Sequence, residues 1–293
     1  MVILLGLAAA VLYGGGDFIG GMATRRVHVL TVLMLAETAG AIAALAAAAM
    51  APGAATLTGL TWGFSAGVVG GLGLIIFYTG LATGPMSVVA PVSGLVSTVL
   101  PVAAALAWGE RPGAGVYAGA LLCLVAIVLA SSAGDTGTSR GAGRPGRAIA
   151  FGMVSGTAFG LFFLLIRNAG QSGAVWPVAA GRIGELTAVL AVAAVLRRGP
   201  LARGADGRLL LARGADGGLL LAAAFAGVID VVANVCYVAA TRTGMFGVAV
   251  VMASLYPGVT VLLARVILGE RLRWIQRAGL GLAALGILLI AIR

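Results

Sequence analysis

Five charged residues fall inside long apolar stretches of the 293-residue sequence, and their types and positions make them the best candidates for chemistry. They are Asp17, Glu37, Arg182, Glu185 and Asp230. A charge at the centre of a bilayer costs at least ~2.5–3.5 kcal/mol on insertion scales, so such a residue normally faces a polar cavity or a partner. We therefore expect these side chains to bind a substrate or a proton inside a membrane.

Asp230 begins a stripe of polar residues along one helical face. Asn234, Tyr237 and Thr241 follow it at spacings of four, seven and eleven residues, which matches the period of an α-helix. The stripe predicts the lining of a cavity in an otherwise apolar helix. The alternative is a seam of hydrogen bonds between helices, in which each bond is worth only ~0.6 kcal/mol.

Arg182 lies three residues before Glu185, so the two side chains can pair within one helix. Such a pair could belong to the site, or it could simply neutralise two charges for insertion. Glu37 has no basic neighbour at helical spacing. A lone carboxyl group in apolar surroundings favours its neutral form, which suits a group that takes up and releases a proton.

Tyr13 and Asp17 lie one turn apart in the first apolar stretch and share a helical face. Several glycines beside them leave room for a neighbouring helix or a ligand. We expect both side chains at the binding site. The sequence leaves open the alternative that Asp17 lies near the membrane border and pairs with Arg25 or Arg26.

The composition identifies the setting of these residues. Of the sequence, 61% is apolar and only 10% is charged, and the mean hydropathy is +1.11. A soluble domain of this length leaves roughly a quarter of its unfolded surface in water and could not hide so many apolar side chains. This excludes a soluble enzyme and a disordered chain, and it predicts an integral protein of a lipid bilayer.

The net charge of +10 includes 19 basic residues, and all of them are arginine. Almost every arginine lies between apolar runs, as at membrane borders, so we expect no nucleic-acid partner. Fourteen arginines fall in one set of predicted loops and four in the other, which predicts a cytoplasmic arginine-rich side and both termini outside.

The single histidine and the two cysteines indicate no metal site, disulfide or cofactor.

Ten stretches have the length and apolar character of a membrane-spanning helix, which needs about 20 residues. The predicted fold class is an all-α integral membrane protein with ten transmembrane helices. The segment 133–147, rich in Gly, Ser and Arg, is predicted to link a first half (1–132) to a second half (148–293). The predicted spans are 2–21, 29–50, 60–82, 86–108, 113–132, 148–168, 174–196, 218–241, 245–268 and 275–292.

An internal repeat relates the two halves. After a shift of 160 residues, the Gly-Glu-Arg motif at 109–111 aligns with the same motif at 269–271. After a shift of 148 residues, Glu37 aligns with Glu185. Each half has an odd number of spans, so the second half must enter the membrane from the opposite side. This predicts an inverted-topology repeat with the site at the interface of the halves, near the midplane.

This arrangement resembles the EamA-like family of the drug/metabolite transporter superfamily. The stretch 254–271 (SLYPGVTVLLARVILGER) is similar to that family's ninth helix and following turn. Tyr13, Gly14 and Phe18 resemble its first-helix pattern, and Arg182 stands where its members often carry an arginine. The resemblance implies an exporter of amino acids, other metabolites or drugs in the bacterial plasma membrane, working as a monomer or homodimer on a small-molecule substrate. Its relatives are usually drawn with both termini inside, opposite to the orientation that the arginine count predicts.

Prolines and the repeated motif predict further features of the helices. Pro91 and Pro101 should interrupt the fourth span and Pro257 the ninth, because proline lacks a backbone donor. We expect kinked gating helices beside the site, with static kinks as the alternative. Glu110 and Glu270 precede the last helix of each half and should cap its N-terminus.

The sequence thus predicts a secondary transporter that exports a small metabolite or drug by alternating access, with proton coupling or exchange as its energy source. A small-solute channel is the first alternative, although the carboxyl groups do not repeat as a ring. An intramembrane enzyme is the second, because residues 14–17 match the Gly-x-Gly-Asp string of intramembrane aspartyl proteases. The partner Tyr-Asp is absent, since Ile229 precedes Asp230, so we expect no enzyme.

Overall fold

The computed structural model describes residues 1–51, 53–83, 86–131, 145–169, 174–196, 217–267 and 274–291, and most of the predicted linker lies outside these ranges. Within them the chain forms helices and no strand. A helix suits such apolar sequence because it bonds its backbone groups internally. The helices are α1 (Val2–Thr24), α2 (Val29–Met50), α3 (Leu57–Thr83), α4 (Met86–Ala107), α5 (Ala114–Ser131), α6 (Pro145–Arg167), α7 (Val175–Leu196), α8 (Gly217–Thr243), α9 (Phe246–Ala253), α10 (Tyr256–Ile267) and α11 (Trp274–Ala291).

The predicted spans coincide with these helices. Nine of them each match one helix whose ends lie within three residues of the predicted bounds, and the ninth in chain order matches the pair α9 and α10. Six described helices are long and apolar enough to cross a membrane, namely α1, α2, α3, α6, α7 and α8. The fold is therefore all-helical with membrane-length helices, and the crossing of the other four spans stays a prediction.

The most extensive helix contacts join distant parts of the chain. α3 lies along α7, α1 along α8, α4 along α6, and α5 along α11. α2 packs against both α7 and α8. The core therefore forms between the first five helices and the last six, and any side chain in it is positioned by both groups.

Glycine permits the closest of these helix contacts. A Cβ atom added to Gly67 on α3 would collide with the carbonyl oxygen of Gly181 on α7. A Cβ atom added to Gly227 on α8 would collide with the carbonyl oxygen of Ala36 on α2. These backbone contacts bring α2 and α8 close enough for polar side chains on the two helices to meet.

The ninth predicted span is broken where its proline lies. α9 ends at Ala253 and α10 begins at Tyr256. Pro257 has no backbone N–H and cannot donate to the carbonyl of Ala253, so the hydrogen bond that would continue the helix is missing. The predicted interruption beside Pro257 is thus present in the fold.

The fourth predicted span is continuous. α4 passes through Pro91 and Pro101 without a break, contrary to the predicted interruption. Each proline removes one backbone hydrogen bond, but α4 lies along α6, and this packing supports its path. Near Pro101, the Thr98 hydroxyl donates to the carbonyl of Gly94 at 2.6 Å, a side-chain hydrogen bond within the same helix.

Glu110 caps a helix of the other half. Its carboxylate accepts hydrogen bonds from the backbone N–H groups of Phe246 and Gly247, at 2.9 and 3.0 Å. These residues begin α9, and the positive end of a helix dipole favours a carboxylate. Gly109 turns the chain with a φ of +90°, which glycine adopts readily. The expectation that Glu110 caps α5 is therefore wrong, and Glu270 lies outside the described residues.

Gly227→Ala should lower the midpoint of thermal denaturation in detergent, because the added methyl group would collide with the carbonyl oxygen of Ala36. Overpacking of this kind costs about 1–3 kcal/mol. Gly15→Ala is the matched control, since no atom outside its own helix segment lies within 4 Å of a Cβ added at Gly15. Equal midpoints for the two variants would contradict the close contact of α2 and α8.

Glu110→Gln should loosen the first turn of α9, because an amide offers one acceptor oxygen and no charge in place of two carboxylate oxygens. Loss of a helix cap costs about 0.5–2 kcal/mol. Hydrogen exchange measured by mass spectrometry should quicken at residues 246–249 and stay unchanged in α2. Unaltered protection of the α9 amides would count against the cap.

Candidate functional site

One guanidinium group holds three carboxyl groups in the core. Arg182 lies on α7 and is only 2% exposed. Its Nη1 atom lies 2.8 Å from Glu37 Oε2 on α2 and 2.8 Å from Glu185 Oε2 one turn along α7. Its Nη2 atom pairs with Asp230 Oδ2 on α8. The side chain therefore joins three helices from both parts of the chain.

The partner of Glu37 differs from the sequence-based expectation. The sequence predicts an unpaired Glu37, whereas its carboxylate accepts a hydrogen bond from Arg182, 145 residues away. The ion pair expected within α7, between Arg182 and Glu185, is present as well. Charge balance was the signal that could have found the Glu37 pair, because a lone buried charge is much more costly than a paired one.

The network continues from Asp230 to α1 through neutral polar groups. Asn234 Nδ2 donates to Asp230 Oδ2 at 3.0 Å and to the Asp230 carbonyl oxygen at 2.9 Å. The Tyr13 hydroxyl donates to Asn234 Oδ1 at 2.9 Å. These groups orient the Asp230 carboxylate without adding charge, and they connect α1 to the ion cluster on α2, α7 and α8.

Asp17 makes a separate contact with α3. The Tyr78 hydroxyl donates to Asp17 Oδ1 at 3.5 Å, a long hydrogen bond. Sequence reasoning missed Tyr78, which lies 61 residues from Asp17 in an apolar span with no charged neighbour. This contact points Asp17 towards the interior and favours the interior alternative over pairing at the membrane border.

A partly open cavity adjoins the network. Its lining comes from α1, α3, α6, α7, α8 and α10, so it lies between helices of both halves. The sequence indicated most of its polar members, but the phenylalanines have the same pattern as ordinary core residues. The lining residues are Tyr13, Asp17, Gly70, Leu74, Phe159, Phe162, Phe163, Glu185, Asp230, Asn234 and Tyr256.

The predicted polar stripe of α8 divides in the structure. Asp230 and Asn234 line the cavity, whereas Tyr237 is completely buried and lies outside the lining. The ring of Phe163, which does line the cavity, packs 4.6 Å from the Tyr237 ring, centroid to centroid. Thr241 donates its hydroxyl back to its own helix at 2.8 Å. Tyr237 is thus a core residue behind Phe163, contrary to its predicted place in the cavity.

The site holds more acid than base. Asp17, Glu37, Glu185 and Asp230 supply four carboxyl groups and Arg182 supplies one guanidinium, so full ionisation would leave a formal charge of −3 (one minus four). An uncompensated charge is costly to bury. Bound protons or a cation in the cavity must balance the excess, and the arrangement can therefore take up protons or bind a positively charged group.

Comparisons with known proteins bear on the whole chain. A sequence model of the EamA-like transporter family matches it twice, over residues 1–132 and 146–292. The comparison with curated proteins gives no match. A solved crystal structure is similar with a TM-score of 0.71 and 17% sequence identity, covering 98% of this chain and 95% of the other. At that identity the likeness shows a shared fold alone.

Arg182→Gln should sharply reduce the yield of folded protein, because three carboxyl groups would remain in the core without their cation. Removing one partner of a buried ion pair costs about 3–5 kcal/mol. Arg26→Gln makes the same chemical change at an exposed position just after α1 and serves as the control. Size-exclusion chromatography of detergent extracts measures the folded fraction.

A double variant separates charge balance from lost packing. Adding Glu37→Gln to Arg182→Gln removes one uncompensated carboxylate and should recover part of the lost thermal stability. If Arg182→Gln and Arg26→Gln denature at the same temperature, the ion cluster does not hold the three helices together.

Proposed function

The chain belongs to the EamA-like transporter family, and on this premise we propose that it is a secondary transporter that exports a small metabolite or drug by alternating access. Membership makes it a multi-pass membrane transporter of the drug/metabolite superfamily, a class of transporters and not of enzymes. The observation that carries the finer proposal is the acid-rich cavity between helices of both halves.

The pairing of helices supports two inverted repeats of five spans. The first eight spans are α1 to α8, so an exchange of the two halves replaces α1 by α6, α2 by α7 and α3 by α8, and the reverse. Under this exchange the contact of α3 with α7 becomes a contact of α8 with α2. The contact of α1 with α8 becomes a contact of α6 with α3. All four contacts occur. The close backbone approaches at Gly67 and Gly227, which are 160 residues apart (227 minus 67), correspond in the same way. Secondary transporters with inverted repeats bind substrate at the repeat interface.

The same exchange locates the axis of the proposed movement. Exchanging the halves replaces α2 by α7 and α7 by α2, so the contact between these two helices is unchanged by the exchange. In the proposed repeat, this contact would lie at the axis that relates the two halves. The ion pair of Glu37 with Arg182 joins these two helices. Rocking of the halves would preserve contacts on the axis and open the cavity alternately to each side. Tyr256, which lines the cavity beside the break between α9 and α10, would follow a hinge at that break.

Protons are the coupling ions that we propose. Asp230 has the most accessible carboxyl group of the ion cluster, with 28% of its side chain exposed. Asp17 lines the same cavity without contacting Arg182 in the part of the chain that the structure describes. Water that enters the open cavity can exchange protons with both groups, and each change of state can then carry protons across the membrane.

Two substitutions test the transport site. The substrate is first identified by comparing exported metabolites between cells with and without the protein, and its flux is then measured in proteoliposomes. Asp230→Asn should abolish flux driven by a pH gradient, since an amide cannot carry a proton. Glu37→Gln should also abolish this flux, because it removes the charge that pairs with Arg182 between α2 and α7. Asp135→Asn, in the predicted linker, is the matched control and should keep wild-type flux.

Each outcome decides a separate element of the proposal. The absence of saturable flux for every solute found in the cell comparison would refute transport. Wild-type flux in both Asp230→Asn and Glu37→Gln would remove the site assignment. Flux that saturates but shows no counterflow would identify the small-solute channel, since only a carrier exchanges labelled and unlabelled substrate.

A further inference from the structure

We propose that the cavity selects a small organic cation, whose charge is held by carboxyl groups and whose apolar body packs among aromatic rings. The proposal rests on the transport function proposed for this chain, and it names the chemical class of the substrate. It follows from the distribution of charge, hydrogen-bond acceptors and aromatic side chains around the cavity.

The acidic lining carries more negative charge than one arginine balances. Asp17, Glu185 and Asp230 all line the cavity. Glu185 and Asp230 share the guanidinium of Arg182 with Glu37, and Asp17 does not contact it. Buried charge without compensation is costly. An ammonium group in the cavity would supply positive charge and hydrogen-bond donors to Asp17 and Asp230.

The described lining of the cavity offers no positive charge for a substrate carboxylate. None of the described residues that line the cavity is basic. Arg182 is 2% exposed, and both of its Nη atoms already contact carboxylates. The Arg167 guanidinium lies against the rings of Trp108 and Phe246, 4.1 and 4.7 Å from their centroids. An anionic or zwitterionic substrate would bring its carboxylate beside like charges, which disfavours binding.

Aromatic side chains form the remaining walls. Tyr13 and Tyr256 pack edge to face with centroids 6.3 Å apart, and Phe162 and Phe163 pack similarly at 5.6 Å. All four line the cavity. The faces of such rings attract cations, and aromatic cages are a common means of recognising ammonium groups. Mostly apolar walls with a few polar groups are typical of ligand pockets.

Four probes with the same phenylethyl body test the charge preference. They are 2-phenylethylamine (a cation at pH 7), 2-phenylethanol (neutral), phenylalanine (a zwitterion) and 3-phenylpropanoate (an anion). Binding to the full-length protein in phosphatidylcholine nanodiscs is measured by calorimetry, with empty nanodiscs as the blank. The amine should bind at least about tenfold more tightly than phenylalanine, which differs from it only by the added carboxylate.

Variants of Asp17 test where the charge is held. Asp17→Asn should weaken binding of 2-phenylethylamine by at least about tenfold, because it removes a cavity carboxylate. Asp17→Glu restores the charge and should recover most of the affinity. Asp135→Asn, the same change in the predicted linker, should leave the affinity unchanged. Thermal denaturation of each variant shows whether it is folded.

The proposal is overturned if phenylalanine or 3-phenylpropanoate binds as tightly as the amine. It is also overturned if none of the probes binds, or if folded Asp17→Asn keeps the wild-type affinity for the amine. Saturable counterflow of a zwitterion or anion in proteoliposomes would contradict the cation preference but would still support the proposed transport function. The absence of flux for every exported solute would instead remove the transport function.

Discussion

Arg182 and its three carboxylate partners fix how α2, α7 and α8 can pack. The Arg182 guanidinium is almost completely buried and contacts carboxylates on α2, α7 and α8. Burying a charge is tolerable only when its partners are held in good geometry. The three helices must therefore pack in one fixed relation, and the cavity beside Asp230 takes its shape from that relation.

Glycine makes this geometry attainable. A Cβ atom at Gly40 would lie 3.2 Å from Arg182 Cδ and 3.0 Å from the carbonyl oxygen of Gly227, so the long arginine side chain passes where a larger residue would crowd it. Gly227 in turn allows α8 to approach Ala36 on α2. Glycine at these positions lets the helix backbones approach closely, and this brings the carboxyl groups within reach of the Arg182 guanidinium.

Sequence reasoning located the helices well because each predicted span is an apolar run, a property that is local in the chain, and six of the described helices have membrane length. It was less successful with side-chain partners, which depend on how helices lie beside one another. The pair of Glu37 with Arg182 spans 145 residues, and the cap of α9 by Glu110 spans 136. The Tyr78 contact and the cover that Phe163 gives to Tyr237 likewise arise from lateral packing. No periodicity in a single helix reports such contacts.

The long separation of Glu37 from Arg182 also constrains how the protein is made. Glu37 is synthesised 145 residues earlier, and at roughly 5–20 residues per second its guanidinium partner follows on the order of ten seconds later. Throughout this interval α2 carries a carboxyl group without the cation that accompanies it in the finished fold. Final packing of α2 must therefore wait for α7, which makes the maturation of the first five helices dependent on the arrival of the second half.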